Sequence, residues 1–339
     1  MKKTFRANLY FLIIMLGEII APFFLFYFYK KIGIHDLRIQ LFTNHMILFI
    51  LPAIIYILIV RPNLKQTFKF NKLYLKDFFL IIGLALLCQP VVSLFSLITS
   101  FFFENDIGNF VTEISSTPFI PMLLLMAVMP AITEEITLRG IVQSGYDDKS
   151  DFKTCVVIGL LFGMFHLNAQ QFLYAAVLGG VLAYLVRVTN SIFASMTFHF
   201  MINGTSVIMQ KLLILFQDKI GTGETATDMP IKTLPLNEKL SLLKGCAIIA
   251  LISGVLSILL IKKIKKINEK RKIKVSQGIL SDNGIYYKEY IEYEDKDDIG
   301  YKSYDYEVKE DKIINWPFIM TIIIYLIYMI LSLHLSSIA

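Results

Sequence analysis

The chain is laid out in long apolar blocks separated by short polar stretches. Blocks near 8–29, 39–60, 78–103, 118–141, 154–168, 170–187, 190–215, 241–262 and 314–335 are rich in Leu, Ile, Val, Phe and Met. About 20 apolar residues in a helix are enough to cross a bilayer. Lipid offers no partner for backbone N–H and C=O groups, so each block is predicted to be a helix that satisfies its own backbone. The fifth block is short and is interrupted by "HLNAQQ" (166–171). A half-span or re-entrant segment fits it, provided it is buried in protein or lines water. The fold class is therefore an all-α polytopic membrane protein, a bundle of eight or nine transmembrane helices.

Composition agrees with this pattern. The 339 residues are 55% hydrophobic with a mean hydropathy of +0.62, above the roughly 45–50% apolar content of soluble domains on a broader count. The N-terminus begins like a signal peptide. Its apolar stretch is too long for one, contains Glu18 and lacks a small-residue cleavage site, so it reads as a retained first span. Cys88, Cys155 and Cys246 lie far apart in apolar runs and read as packed small hydrophobes, not as a disulfide or zinc framework. The preference for Lys over Arg and Ile over Ala points to an AT-rich, bacterial genome. No repeat at a fixed period is visible.

The formal net charge of +6 bears on orientation, since cytoplasmic loops of membrane proteins are enriched in Lys and Arg. No basic-aromatic nucleic-acid module is present. Lys2, Lys3 and Arg6, then Arg61, Lys65, Lys69, Lys72 and Lys76, then Lys149, Lys153 and Arg187, then "KKIKKINEKRKIK", all fall on one side of an alternating topology. The N-terminus is thereby expected to be cytoplasmic. "FFENDIGNFVTEISST" has no Lys or Arg and falls outside, while Lys30, Lys31 and Arg38 count against the scheme. Residues 273–312 are polar, acidic and rich in Tyr. "DNG" is a turn signal, and the flanking segments have strand-like composition. A small cytoplasmic β-meander and a disordered charged loop are equally compatible with this insertion before the last helix. The chain thus divides into N-terminal transmembrane helices (1–117), a central set of helices (118–215), an outer loop and further helix (216–262), the polar Tyr-rich segment (263–313) and a C-terminal helix (314–339).

Within the central set, three groups of polar residues stand at membrane depth, where charges are costly and usually functional. The first is "PAITEEITLRG" (130–140). Residues four apart share a helical face, so Glu135 and Arg139 are expected to pair and hold register. Glu134 is rotated away, with Leu138 as its i+4 neighbour, and is the better candidate for chemistry. The second is "FGMFH", in which Phe162 and His166 share a face. The third is "FHFMIN", in which His199 and Asn203 do, both able to donate hydrogen bonds. Taken singly, each group also fits polar glue between spans. Together they bring a carboxylate, two imidazoles and an amide onto three spans and are expected to converge. A carboxylate with an imidazole can strip a proton from water, and a second imidazole with an amide can stabilise the oxyanion formed when water attacks an amide carbonyl. Alternatively, Glu134, His166 and His199 offer a zinc ligand set, although no H-E-x-x-H pattern supports it.

The ordered series E-E-x-x-x-R, F-x-x-x-H and H-x-x-x-N, each in its own span, resembles the CAAX protease and bacteriocin-processing (CPBP or ABI) family of intramembrane proteases, over roughly residues 118–215. The resemblance implies Glu134 as general base, His166 as a helper that positions water, and His199 and Asn203 as the oxyanion hole. Glu135, Arg139 and Phe162 become supporting residues. It implies a peptide-bond hydrolase acting on a membrane-associated peptide or protein, with no metal favoured and a divalent metal such as zinc as the alternative. The polar segment and the final span depart from a minimal family member. Two other readings compete: a non-catalytic immunity or scaffold protein that keeps the polar set as helix–helix glue, and a transporter that uses Glu and His as a proton relay.

Overall fold

The computed structural model describes residues 2–220, 231–276 and 311–338. Among the described residues, eight helices are long and apolar enough to cross a membrane, and the chain is a multi-pass membrane protein. They are α1 (Lys3–Ile32), α2 (Leu37–Val60), α4 (Leu75–Ser100), α6 (Phe119–Val142), α8 (Ala169–Thr189), α9 (Ile192–Ile220), α10 (Leu236–Ser276) and α11 (Trp316–Ile338). Short helices α3 (Leu64–Phe68) and α5 (Asp106–Glu113) lie between them. Helix α7 (Asp151–Phe165) has 15 residues, about 22 Å at 1.5 Å per residue, and falls short of the ~30 Å hydrocarbon core. The count of eight or nine thus becomes eight long helices and a short one. No strand occurs among the described residues. The β-meander expected within 273–312 lies almost wholly outside them.

Two features go beyond the hydropathy reading. Helix α10 does not stop near 262, where the apolar run ends, but continues to Ser276. The basic extension is held by a polar staple to the start of α4. Arg271 Nη1 donates to Asp77 Oδ2 at 2.6 Å and Asn268 Nδ2 to Asp77 Oδ1 at 3.2 Å. The Arg271 guanidinium stacks on Tyr74 at 3.7 Å. The Lys-free loop after α4 contains the helix α5, and its end is gripped by Lys211 of α9, whose Nζ donates to the Ser115 and Thr117 carbonyls.

Helices α7 and α8 form an antiparallel hairpin. The turn between them uses His166 as the cap of α7, Leu167 at φ +47° and Asn168, whose side chain caps α8 by accepting from Gln171 N. Small residues let helix backbones approach closely in membranes. A Cβ at Gly159 would stand 2.6 Å from the Ala176 carbonyl, and one at Gly179 would stand 2.7 Å from Phe162 Cβ. This tight seam presents the α8 carbonyls to α6: Arg139 Nη2 donates to Gly179 O at 3.2 Å and Gln143 Nε2 to Ala183 O at 3.0 Å. At the far end of α6, Thr4 Oγ1 donates to Gly145 O and Tyr146 OH to Asn8 Oδ1, while the Asn8 amide donates to the Ile313 carbonyl. Helices α1, α6 and α11 are so fixed together. Lys3, Lys69, Arg187 and Lys265 meet Asp147 and Asp151 around a cavity of about 540 Å³ at this end of the bundle, the end to which the Lys and Arg bias assigns them.

Candidate active site

Helix α6 carries the charges. Two π-helical stretches, Leu124–Val128 and Ile136–Val142, flank the α-helical Met129–Glu135, a distortion frequent at functional sites. Glu135 and Arg139 pair as the i,i+4 spacing predicts, with Arg139 Nη1 donating to Glu135 Oε1 at 3.0 Å and both side chains wholly buried. The guanidinium lies 4.3 Å from the centre of the Phe162 ring, an arrangement that favours a cation. Phe162 also packs edge-on against both His166 and His199, at 4.8 and 5.9 Å between ring centres. It is the hub on which the three groups meet.

Two of the histidine bonds fix which ring nitrogen carries a proton. His199 Nδ1 lies 2.9 Å from Glu135 Oε1. His166 Nδ1 lies 2.8 Å from the Phe162 carbonyl. His45 Nδ1 lies 2.9 Å from Thr133 Oγ1, which also reaches the Met129 carbonyl. The Glu135 carboxylate and the Phe162 carbonyl can only accept, so Nδ1 of His199 and of His166 is the donor and in each neutral ring Nε2 keeps the lone pair, while Thr133 can either accept from His45 or donate to it. The Glu135–His199 bond was not legible from i,i+4 spacing, because it joins α6 to α9.

His199 and Asn203 share a face of α9 as expected, but their observed bonds run separately to α6 and do not aim at one point. Asn203 Nδ2 donates to the Met126 carbonyl at 3.1 Å, eight residues and about 12 Å along α6 from Glu134. The second N–H of that amide remains for another acceptor.

Glu134 differs from its neighbour. Oε2 of each is enclosed without a partner, but Glu135 Oε1 is bonded to Arg139 and His199, whereas Glu134, whose side chain is only partly buried, takes no hydrogen bond or ion pair from the described residues. It lies within electrostatic reach of His199, Glu135 and Arg139. Three residues not singled out in the sequence interact electrostatically with this cluster. Glu18 of α1 and Tyr174 of α8 lie within reach of Glu134, and His45 of α2 within reach of His199. An acid or imidazole inside an apolar block was the available signal. For Glu18 it served only to argue against a signal peptide. Among the described residues no three His, Cys, Asp or Glu side chains are grouped to hold a metal ion.

No curated protein and no solved structure matches the chain. Residues 116–205 match the family model for type II CAAX prenyl endopeptidase Rce1-like proteins; the matched segment carries Glu134, Glu135, Arg139, Phe162, His166, His199 and Asn203, and the match agrees with the family that its three motifs resemble.

Proposed function

We propose that the protein is an intramembrane endopeptidase that hydrolyses a peptide bond in a membrane-associated peptide or protein. The matched family is one of membrane proteases. The observation that carries the reading is Glu134, which takes no hydrogen bond or ion pair from the described residues, while its neighbour Glu135 is bonded to both Arg139 and His199. Glu134 takes a proton from water. His166, with its Nε2 lone pair, accepts a hydrogen bond from that water and orients it. The second N–H of Asn203, and His199 from Nε2 when that atom carries a proton, stabilise the oxyanion on the attacked carbonyl. Glu135 fixes the His199 ring, and Arg139 holds Glu135. This reading routes no step through a metal. The basic end of the bundle is cytoplasmic in this reading, and the substrate arrives through the membrane.

One observation favours the runner-up. The Glu135–His199 and Asn203–Met126 bonds join α6 to α9, as a non-catalytic scaffold would also require. Comparative peptidomics of membranes and medium separates the two. We expect peptide termini produced with wild type to disappear with Glu134→Ala at matched protein level, with and without chelator. Unchanged termini, with any deletion phenotype still rescued by Glu134→Ala, would make the cluster architecture.

A further inference from the structure

Helices α1, α3, α7, α8 and α10 all contribute to the wall of the cavity of about 540 Å³ at the basic end of the bundle. Its basic side chains are Lys3, Lys65, Lys69, Arg187, Lys265 and Lys272, against the four acids Asp147, Asp148, Asp151 and Glu269. Each acid already has a base. Lys69 Nζ lies 2.6 Å from Asp147, Lys149 Nζ 3.0 Å from Asp148 and Lys265 Nζ 3.8 Å from Glu269, and Arg187 is bonded to Asp151. The lining as a whole therefore carries net positive charge. Two amides in the same wall are fixed by their N–H groups. Gln143 Nε2 donates to the Ala183 carbonyl at 3.0 Å and Asn71 Nδ2 to the Asn190 carbonyl at 2.8 Å. Both side chains are buried, at 2% and 6% exposure. Their oxygens, Gln143 Oε1 and Asn71 Oδ1, are enclosed with no hydrogen-bond partner among the described residues. A buried acceptor left empty is costly, so a ligand that completes this wall supplies donors as well as negative charge. Exposed aromatic residues adjoin the lining. Phe70 stands between Lys69 and Asn71, Phe152 follows Asp151, and the Phe193 ring lies 6.2 Å from that of Phe70. Such apolar side chains beside basic ones suit the boundary between headgroups and acyl chains.

We propose that this cavity binds the headgroup of an anionic glycerophospholipid. The phosphodiester sits among the lysines, headgroup hydroxyls donate to the two amide oxygens, and the acyl chains pass over the exposed phenylalanines. Basic pockets between transmembrane helices take phospholipid headgroups in this way, and lysine meets phosphate as a compact point charge. The volume falls within the roughly 300–1,000 Å³ of small-molecule sites. Phosphatidylethanolamine brings no net charge, and phosphatidic acid brings no headgroup hydroxyl. Phosphatidylglycerol brings both. The lipid belongs to the leaflet at this end of the bundle. The site gives the basic extension of α10 a role, since Lys265, Asn268, Glu269 and Lys272 are part of the wall. Gln143 is nine residues and about 14 Å along the chain of α6 from Glu134 at 1.5 Å per residue, so the inference does not depend on the endopeptidase reading.

Native mass spectrometry tests this on the full-length protein, released from a neutral detergent and titrated with dioctanoyl phosphatidylglycerol. One lipid should bind more tightly than any further copies. Phosphatidic acid and phosphatidylethanolamine of the same chain length should each bind about tenfold more weakly, for want of hydrogen bonds or of charge. Free glycerol phosphate at the same concentration should not displace the lipid. Lys3→Gln combined with Lys65→Gln, both at exposed positions, should weaken binding roughly thirtyfold, about fivefold for each lysine. Lys76→Gln combined with Lys266→Gln removes the same charge from exposed residues outside the lining and should leave binding nearly unchanged. Thermal unfolding in detergent verifies that each variant is folded, and added phosphatidylglycerol should raise the unfolding temperature of wild type more than that of the Lys3 and Lys65 double variant. Equal weakening in the two double variants would make the binding a general surface attraction and overturn the site. Equal binding of phosphatidylethanolamine would overturn the charge argument, and equal binding of phosphatidic acid the role of the two amide oxygens. Displacement by glycerol phosphate would overturn the lipid as the source of the phosphate.

Discussion

Two polar clusters lie in this helical bundle, and they are charged differently. At the basic end, Asp147, Asp148, Asp151 and Glu269 each have a Lys or Arg within 4 Å, and buried Asp77 is matched by Arg271. Among the spans, the adjacent Glu134 and Glu135 have Arg139 within reach, and it serves Glu135. In the first cluster every acid is matched, and it is partly in contact with water. The second is unbalanced where lack of water makes imbalance most expensive. A paired charge can be accounted for by architecture. An unpaired buried oxygen leaves a capacity to take a proton or bond a substrate, and such groups cluster at functional sites.

The comparison can be broken in four places. Arg139→Ala should have the largest effect on stability, about 3–5 kcal/mol, because it strands a buried carboxylate; denaturant unfolding in detergent measures this, and a loss under 1 kcal/mol would show the pair to be dispensable. Asn203→Ala should lower kcat about a hundredfold, or about 2.7 kcal/mol, as expected for loss of one oxyanion donor, with KM little changed; steady-state kinetics on a substrate found by peptidomics decides this. Gly159→Ala places a methyl 2.6 Å from the Ala176 carbonyl and should cost about 1–3 kcal/mol through overpacking. It should also reduce cleavage, since it shifts the α8 carbonyl that holds Arg139. Glu269→Gln, at the basic end, removes an exposed i,i+4 pair at 3.8 Å and should change stability by less than about 1 kcal/mol, an effect that salt further reduces.

What the sequence disclosed follows the range of its rules. Hydropathy located every long helix, because backbone satisfaction in lipid leaves little choice. The i,i+4 rule found the Glu135–Arg139 pair and marked Glu134 as the residue without one. Neither rule reaches between helices. The bonds from His199 to Glu135 and from Asn203 to Met126 and the placing of His45 on Thr133 join residues 64 or more positions apart. They depend on the glycine seam of α7 and α8 and on helix crossings that no local pattern encodes. The extension of α10 beyond 262 was hidden for another reason. "KKIKKINEKRKIK" reads as a polar tail until Asp77 and Tyr74 are seen to hold its Arg271.

The central claim is that adjacent carboxylates on one helix have opposite roles, Glu134 in chemistry and Glu135 in structure. The most direct measurement puts Glu134→Gln and Glu135→Gln side by side, with thermal unfolding and cleavage recorded on the same preparations. The account predicts that Glu134→Gln unfolds like wild type and cleaves nothing, while Glu135→Gln unfolds at a clearly lower temperature. A Glu134→Gln variant that still cleaves, or one that loses as much stability as Glu135→Gln, would contradict it.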